Sequence, residues 1–417
     1  MALHTLGCKL NYSETSAISR LLEQEGFSKK DFDEVADVYV INTCSVTDNA
    51  DKECRQLVRK IQRRSPASTI VVTGCYAQLK PAEIASIHGV DLVLGVAEKF
   101  NIAQHIKELT KGDPAKICSC DIDDVSDFNS SYSYNERTRG FLKVQDGCNY
   151  NCSFCTIPMA RGKGRSDSIK NVIANARLLA EKGVKEIVLT GVNLGDFGSV
   201  ADKKIKAENF FHLIQALEKD EAVPRYRISS IEPNLLTNEI IEFVAGSKTF
   251  MPHFHIPLQS GSNKILGLMR RRYQKELYAE KINHVKKLMP HCAIGVDVIV
   301  GFPDEHENDF KETYDFLHSL DISYLHVFTY SERDNTAALN IQPVVPISVR
   351  NERNKILRNL SFKKLNFFTS QHIGKTRKVL FEHKNKNGMM EGFTDNYIKI
   401  TAPHKSEWVN QIVDWKI

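Results

Sequence analysis

The stretch Phe141-Leu-Lys-Val-Gln-Asp-Gly-Cys148-Asn-Tyr-Asn-Cys152-Ser-Phe-Cys155 decides how the rest of the chain is read. It opens as a short strand, Phe141–Gln145, and runs into a loop whose three cysteines are spaced C-x3-C-x2-C. A strand that delivers chemically active side chains to the loop beyond it is the unit from which (β/α) barrels build their functional mouth. Three thiolates this close in sequence suit three irons of a 4Fe-4S cluster and leave the fourth iron open to a small ligand. The competing reading is a zinc knuckle completed by a ligand from elsewhere. No histidine lies near the loop in sequence.

Downstream of this loop the strand–helix alternation continues. Candidate strands are Glu186–Thr190, Tyr226–Ser229, Phe254–Pro257, Gly295–Val300 and His326–Thr329. With Phe141–Gln145 they make six βα units, which predicts an open, partial (β/α)6 barrel rather than a closed one of eight. Upstream, residues 1–110 alternate strands (Leu3–Gly7, Val38–Thr43, Ile70–Gly74, Leu92–Gly95) with helical patterns near 13–25, 48–64 and 79–88. That pattern predicts a separate parallel α/β sheet. Residues 347–370 read as a helix. After Gly374, short strands (Lys378–Phe381, Gly392–Ile400, Val409–Trp415) predict a small antiparallel β-barrel. The fold class is therefore α/β. Its boundaries are 1–120 for the N-terminal sheet, 121–136 for a polar linker, 137–346 for the barrel, 347–371 for a helical connector and 372–417 for the terminal barrel.

Three more cysteines, Cys8, Cys44 and Cys75, are far apart in sequence but alike in setting. Each sits just past a predicted strand, after Leu-Gly7, Asn-Thr43 and Thr-Gly74. The C-terminal ends of parallel strands share one edge of a sheet, where open α/β sheets bind ligands. Three buried core cysteines are the alternative. The repeated placement beyond the strand, beside Gly or Thr, favours a second three-thiolate Fe–S cluster instead. Cys54, Cys118, Cys120 and Cys292 fit neither set.

The C-x3-C-x2-C loop, with an aromatic before its last cysteine, resembles that of the radical S-adenosylmethionine (SAM) superfamily. The resemblance implies SAM bound to the open iron and split by one electron into methionine and a 5′-deoxyadenosyl radical. Four strand-end segments are similar to that superfamily's SAM pocket: Thr190-Gly-Val-Asn193, Ser229-Ser-Ile-Glu232-Pro, His255-Ile-Pro-Leu-Gln259-Ser-Gly and Gly295-Val-Asp-Val298-Ile-Val-Gly301-Phe-Pro303. They imply SAM contacts at Thr190, Asn193, Glu232, Gln259, Val298 and Gly301, although a strand-end Glu or Gln also serves to cap a helix. Around the dispersed cysteines, Leu6-Gly-Cys-Lys-Leu-Asn11 with Glu14, Asn42-Thr-Cys-Ser-Val-Thr47 and Thr73-Gly-Cys-Tyr-Ala-Gln78 resemble the N-terminal domain of the methylthiotransferase family. The run Cys155-Thr-Ile-Pro-Met-Ala-Arg161-Gly-Lys-Gly-Arg-Ser166 resembles the same family. Gly392-Phe-Thr-Asp-Asn-Tyr397 is similar to its RNA-binding TRAM domain.

That family implies two 4Fe-4S clusters, on Cys148/Cys152/Cys155 and on Cys8/Cys44/Cys75. One SAM supplies the radical and a second the methyl group, and a sulfur is carried on the second cluster. No catalytic residue is implied beyond the cluster ligands. The cysteine contexts, with Ala50-Asp-Lys-Glu-Cys-Arg-Gln56, look most like the branch that acts at carbon 2 of threonylcarbamoyladenosine, position 37 of tRNA. The isopentenyladenosine branch comes second and the ribosomal-protein aspartate branch third. A reading of another class, a non-catalytic Fe–S RNA-binding or redox-sensing protein, has no use for the SAM-pocket segments. Implied partners are tRNA, a reductase or flavodoxin-type electron donor, and a sulfur source.

Composition agrees. The chain has 417 residues, 42% hydrophobic and 26% charged, an ordinary globular balance that excludes a mainly disordered or fibrous protein. No apolar run reaches the roughly 18–20 residues needed to cross a bilayer, so no membrane association is expected. The N-terminus enters a strand without a basic region. No secretory leader is therefore expected, and the ten cysteines are expected to be reduced in a cytoplasmic setting. The net charge of +5 hides an asymmetry: residues 350–417 carry 14 Lys/Arg against 6 Asp/Glu, which leaves the remainder acidic. Lys375, Arg377, Lys378, Lys384, Lys386 and Lys399, with Phe381, Phe393 and Tyr397 interleaved, suit an RNA surface. Arg55, Arg59, Lys60, Arg63 and Arg64 on one helix, and Arg270-Arg271-Arg272, are further basic candidates. The plain alternative for each is a solvated charged face.

Overall fold

The computed structural model describes residues 1–45, 48–134, 138–198, 208–384 and 388–417. Val46, Thr47, Lys386, the side chain of Lys384 and the linker boundary at 136–137 lie outside the described residues. The N-terminal region runs β1 (Ala2–Thr5), α1 (Lys9–Gln24), β2 (Val38–Thr43), α2 (Asp48–Arg64), β3 (Thr69–Gly74), α3 (Cys75–Leu79), α4 (Pro81–Ala85), β4 (Leu92–Leu94), α5 (Ile102–Lys107) and β5 (Lys116–Cys118). All five strands are parallel and lie side by side in sequence order. Both faces of the sheet are covered. Tyr39, Ile41, Ile70 and Val72 pack under Val58 and Ile61 of α2. Val38, Val40 and Val71 pack under Ile18 and Leu22 of α1. A sheet buried on both sides must be apolar at successive positions, which is why Val38-Tyr-Val-Ile41 reads as an unbroken hydrophobic run. Each such side chain, fully buried, contributes roughly 1.5–3 kcal/mol.

Next come β6 (Ser131–Tyr132), β7 (Gly140–Lys143), β8 (Gln145–Asp146), α6 (Ile157–Arg161), β9 (Arg165–Ser166), α7 (Ile169–Glu181), β10 (Glu186–Thr190), α8 (Phe210–Asp220), β11 (Arg225–Ile228), α9 (Asn238–Gly246), β12 (His253–His255), α10 (Asn263–Leu268), α11 (Lys275–Leu288), β13 (Ala293–Val300), α12 (Glu307–Ser319) and β14 (Tyr324–Thr329). Parallel pairing joins β7, β10 and β11, and separately β12, β13 and β14. Parallel bridges at Tyr226/Phe250 and Ser230/His255 link the two halves. The six expected strands thus form one open parallel wall. Its outward side chains, among them Leu189, Ile228, Val296, Val298 and Val300, make a common core with the helices. The alternate residues Gly295, Asp297 and Ile299 of β13 face the lumen.

Helix α13 (Ile347–Ser370) leads to β15 (Thr376–Lys384), β16 (Met389–Thr394), β17 (Lys399–Pro403) and β18 (Ile412–Lys416), an antiparallel sheet in the order β17-β16-β15-β18.

Three expectations need correction. The strand read at Gly392–Ile400 is the end of β16, a turn, and the start of β17. The chain reverses at Asp395–Tyr397, where Tyr397 takes a φ of +68°. The polar linker holds a short strand, β6, paired antiparallel with β7. The N-terminal sheet has a fifth strand, β5, which three half-exposed edge residues did not reveal.

Candidate active site

Cys44 and Cys75 directly follow β2 and β3, and Cys8 caps the start of α1 just beyond β1. None of the three is in a disulfide; Cys44 and Cys75 are buried and Cys8 is exposed. Close packing gathers them. Gly7 has a φ of +101°, and a Cβ there would lie 2.9 Å from Cys44 Sγ, so only glycine lets Cys44 pass beneath it. Asn11 holds the ends of β1 and β2 together, its Nδ2 donating to the carbonyls of Leu6 and Thr43 at 2.9 Å each. Asn42 Nδ2 donates back to Asn11 O at 3.0 Å.

Beneath this trio lies a buried ionic network. Glu14 accepts from Lys99 at 2.6 Å, Arg161 at 3.1 Å and Lys143 at 3.3 Å. Asp146 pairs with Arg161 at 2.9 Å, Lys143 at 3.4 Å and Arg165 at 3.5 Å. Burial pushes both carboxyls up, but the surrounding cations outweigh it and hold them below the usual carboxylate range. Glu14 and Lys99 belong to the N-terminal sheet domain, the other four to the barrel, so the network joins the two. Cations outnumber carboxylates within it, and Arg161 acts electrostatically on both Cys8 and Cys75. Excess positive charge beside thiols favours thiolates, the form that binds metal. Burial, with the charges of Cys8 and Glu14 adding to it, pushes Cys75 up, and Arg161 and Lys99 pull against it.

Cys148, Cys152 and Cys155 occupy the loop between β8 and α6. Burial pushes Cys148 and Cys155 up to about 12, outweighing the N–H groups of Tyr150 and Ile157 that donate to their sulfurs at 3.4 Å. A coordinated metal would reverse that, since a ligating thiol gives up its proton. One cation does reach this trio. Arg271, almost fully buried, donates to Cys152 Sγ at 3.1 Å and pairs with Glu232. Arg270-Arg271-Arg272 is therefore not one solvated patch: Arg271 turns inward, and Arg272 lies 4.0 Å over the Tyr150 ring.

The two trios approach each other. Thr156, one residue past Cys155, donates to the carbonyl of Ser45, one residue past Cys44, at 3.4 Å. Helix α3, which begins with Cys75, packs on α6, which begins two residues after Cys155. Arg333, from the segment after β14, clamps the same point through Ser45 O at 2.9 Å and Asp51 at 2.8 Å.

Below Cys155 a cavity of about 230 Å³ opens between Gln259, Asp297, Ile299, Phe328 and Tyr330. Of the expected SAM contacts, Gln259 lines this cavity. Thr190 Oγ1 and Asn193 Nδ2 are buried without hydrogen-bond partners among the described residues, at a cost of about 1–3 kcal/mol each unless a ligand satisfies them. Glu232 is committed to Arg271. Two expected contacts face elsewhere. The Val298 side chain is in the helix-facing core. The space a Cβ on Gly301 would take is filled by the Arg350 chain 2.3 Å away, so that glycine makes room for α13 rather than for a ligand.

Deeper in the lumen, His255 Nε2 meets Asp297 Oδ2 at 2.9 Å, with the His326 ring 5.4 Å from that of His255. The C-terminal sheet forms the floor. Arg227 pairs with Glu186 at 2.7 Å and donates to Asp395 O at 2.8 Å and Thr394 O at 2.7 Å, and Arg225 donates to Lys378 O at 2.8 Å.

The floor corrects part of the RNA reading. Tyr397 stacks on His253 with ring centroids 4.2 Å apart and on Phe393 at 4.9 Å, with Arg139 over Phe393 at 4.5 Å. These aromatics serve the junction with the barrel. Phe381 is fully buried and stacks on Trp408. Arg377 is tied to Asp395 at 2.8 Å and Lys399 to Glu391 at 2.7 Å, whereas Lys375 and Lys378 keep exposed side chains. On α2, Arg55 and Lys60 are ion-paired, and Arg59 and Arg63 are exposed beside a groove.

Sequence reading missed Arg271, hidden in a basic run, and the network around Glu14, whose partners lie up to 147 residues away. The only signal for the latter was a charged residue inside a cysteine motif.

Residues 1–95 match the uncharacterized protein family UPF0004, and residues 142–317 match the radical SAM superfamily. The chain is 41% identical to threonylcarbamoyladenosine tRNA methylthiotransferase MtaB of Bacillus subtilis (strain 168), covering all of this chain and 93% of that one. It is 40% identical to the MtaB of Aquifex aeolicus (strain VF5) over 96% of each. A tRNA-2-methylthio-N(6)-dimethylallyladenosine synthase of Clostridium botulinum (strain Langeland) is 30% identical over 92% of this chain and 86% of its own. Among solved structures, the radical SAM methyltransferase TsrM of Kitasatospora setae superposes with a TM-score of 0.56 at 15% identity, over 78% of this chain and 72% of that one. That likeness speaks for the fold. No described helix is long and apolar enough to cross a membrane.

Proposed function

The chain belongs to the threonylcarbamoyladenosine tRNA methylthiotransferase family of radical SAM enzymes, and from that premise we propose that it inserts a methylthio group at carbon 2 of threonylcarbamoyladenosine at position 37 of tRNA. The observation that carries the reading is the hydrogen bond between Ser45 and Thr156, which holds the two cysteine trios next to each other across the domain boundary. Forming a carbon–sulfur bond on one base requires both sources of chemistry within reach of one substrate position.

The residues present fit two 4Fe-4S clusters and SAM. None of the six cysteines is in a disulfide, Gly7 leaves room for Cys44 Sγ, and two buried polar atoms at Thr190 and Asn193 have no hydrogen-bond partner among the described residues. Cys148, Cys152 and Cys155 would hold one cluster and Cys8, Cys44 and Cys75 the other. Bound there, the clusters and SAM supply the electron, the radical, the sulfur and the methyl group. The chain itself positions them. Arg271 donates to Cys152 Sγ and pairs with Glu232, the Glu14–Arg161 network joins the N-terminal sheet to the barrel, and Arg225 and Arg227 fasten the C-terminal sheet beneath the lumen. The C-terminal sheet would serve as a TRAM-like RNA-binding module through Lys375 and Lys378. We place the protein in the cytoplasm with its tRNA substrate, a reductase or flavodoxin-type electron donor and a sulfur source.

Anaerobically reconstituted protein should carry about eight irons per chain. Mass spectrometry of tRNA nucleosides from cells with and without the gene should show loss of the methylthio-threonylcarbamoyladenosine signal alone. Loss of the dimethylallyl counterpart instead would move the chain to the other branch. Four irons, or an unchanged nucleoside profile, would sink the assignment.

A further inference from the structure

Cys118 and Cys120, which belong to neither trio, stand at the end of β5, the edge strand of the N-terminal sheet. Cys118 lies across from Leu94, and Leu94 from Thr73, so the three share one row of the sheet. Cys75 comes two residues after Thr73. With strands about 4.8 Å apart, Cys118 stands roughly 10–12 Å from Cys75 along the same carboxyl edge. A hydrogen bond joins the two places: Gln78, on the short helix that begins at Cys75, donates from Nε2 to the Cys120 carbonyl at 3.0 Å. Cys118 also has a base beside it. Its Sγ is 3.6 Å from Nδ1 of His105 on α5, and His105 Nε2 is 2.9 Å from Glu98 Oε2. Glu98 is itself held, accepting from Asn101 Nδ2 at 3.2 Å. A carboxylate at Nε2 keeps the imidazole proton on that nitrogen and leaves Nδ1 to accept one from a thiol. Nucleophile, base and orienting carboxylate in line are what activates a thiol at the moment of attack. Burial raises the Cys118 thiol above its ordinary range, so the resting group keeps its proton and attack needs His105 to take it. Cys118, His105 and Glu98 are all partly exposed, and so open to a reagent from solvent. A cysteine that only packs has no use for an oriented base.

We propose that Cys118 is where sulfur enters the protein: with His105 as base it takes the outer sulfur of a persulfide donor and holds it on the sheet edge beside the Cys8/Cys44/Cys75 trio. The inference rests on the function proposed above and names the residue through which its sulfur arrives. In the loading step Cys118 Sγ attacks the outer sulfur of a persulfide R–S–SH. An S–S bond forms on Cys118, the donor's S–S bond breaks, and the donor leaves as R–SH with the proton that His105 took from Cys118. No outside electrons are used. Release takes two electrons from a small external dithiol, which leaves as its disulfide. Cys118 returns as the thiol and the sulfur departs as hydrogen sulfide, a short distance from the trio that would bind it.

The test uses the enzyme with both clusters assembled, so that the six trio cysteines are occupied. It is treated without oxygen with glutathione persulfide whose outer sulfur is radiolabelled, then alkylated and digested. The label should sit on the peptide that holds Cys118 and Cys120, persist in Cys120→Ser and vanish in Cys118→Ser. His105→Gln should slow loading by roughly 100-fold or more, the scale of a lost general base. Its rate should keep climbing with pH where the wild type has levelled off, because the thiol must then ionise unaided. Dithiothreitol, SAM and tRNA added to the loaded wild type should move the label into the methylthio nucleoside. Cys118→Ser, matched in iron content and given the same persulfide, should incorporate little. Label on Cys120 instead of Cys118, loading in His105→Gln equal to wild type at every pH, or a methylthio product without label would each overturn the proposal and leave the function intact. A wild type that forms no methylthio product on any tRNA would overturn the function, and this role with it.

Discussion

Cys148, Cys152 and Cys155 lie within eight residues of one loop, whereas Cys8, Cys44 and Cys75 span 68 residues and three strand ends. The first trio is held by its own short segment and one visiting side chain, Arg271. The second exists only if β1, β2 and β3 are in register and Gly7 lets Cys44 pass. The loop trio is a local property of sequence, and the sheet trio is a property of the folded domain. The two should therefore fail in different ways.

The largest effect should come from Cys148→Ala, which should abolish both SAM cleavage and methylthiolation, read as 5′-deoxyadenosine and modified nucleoside. Cys8→Ala should remove methylthiolation while SAM cleavage persists, with about half the iron retained. Equal loss of both activities in Cys8→Ala would erase the distinction between the trios. Gly7→Ala sharpens it, because it touches no ligand. A methyl group 2.5 Å from Cys44 Cβ should disorder the sheet trio, and iron content should fall towards the Cys8→Ala level with SAM cleavage preserved. The corresponding loss at the loop trio should not occur.

Glu14→Gln should be felt as stability. Removing one charge from a buried network leaves its partners uncompensated, at a cost of about 3–5 kcal/mol, measurable by urea unfolding of the cluster-free chain. The same network gives a pH dependence of defined sign. Glu14 and Asp146 are held below the usual carboxylate range in the folded state, so the unfolded chain binds protons first as pH falls. Their contribution should be complete above about pH 5 and should decline as pH drops below the unfolded carboxyl range, with the junction between sheet and barrel loosening first. The smallest effect belongs to the double change Lys375→Glu and Lys378→Glu. It should weaken tRNA binding a few-fold and lower the salt slope by about 2 without altering iron content.

How legible each region was follows the same division. β2 and β10 were readable to the residue, because buried parallel strands such as Val38–Thr43 leave no polar alternation to confuse. The six cysteines stood out because spacing marks one trio and strand ends mark the other. What stayed hidden depends on distant partners. Nothing in the sequence says that Glu14 meets Lys143, or that Arg271 turns in while Arg272 covers Tyr150. β6 and β5 are too short to announce themselves. The run Gly392–Ile400 looked continuous because the reversal there uses Asp395–Tyr397 without a glycine, Tyr397 taking the left-handed conformation itself. The aromatics of that turn looked like base-stacking residues for the same reason. Sequence shows that they are aromatic and near cations, but not that the cations belong to the neighbouring domain.

The clamp of Arg225 and Arg227 on the backbone carbonyls of Lys378, Thr394 and Asp395 has a mechanical consequence. Side-chain contacts between domains can slide, but hydrogen bonds to consecutive main-chain oxygens fix both distance and direction. These bonds tie the terminal sheet to the barrel at points other than its covalent link through α13. A nucleic acid that bound at Lys375 and Lys378 would thereby sit at a set offset from the lumen, and the reach from gripped backbone to reactive base would become a criterion of selection.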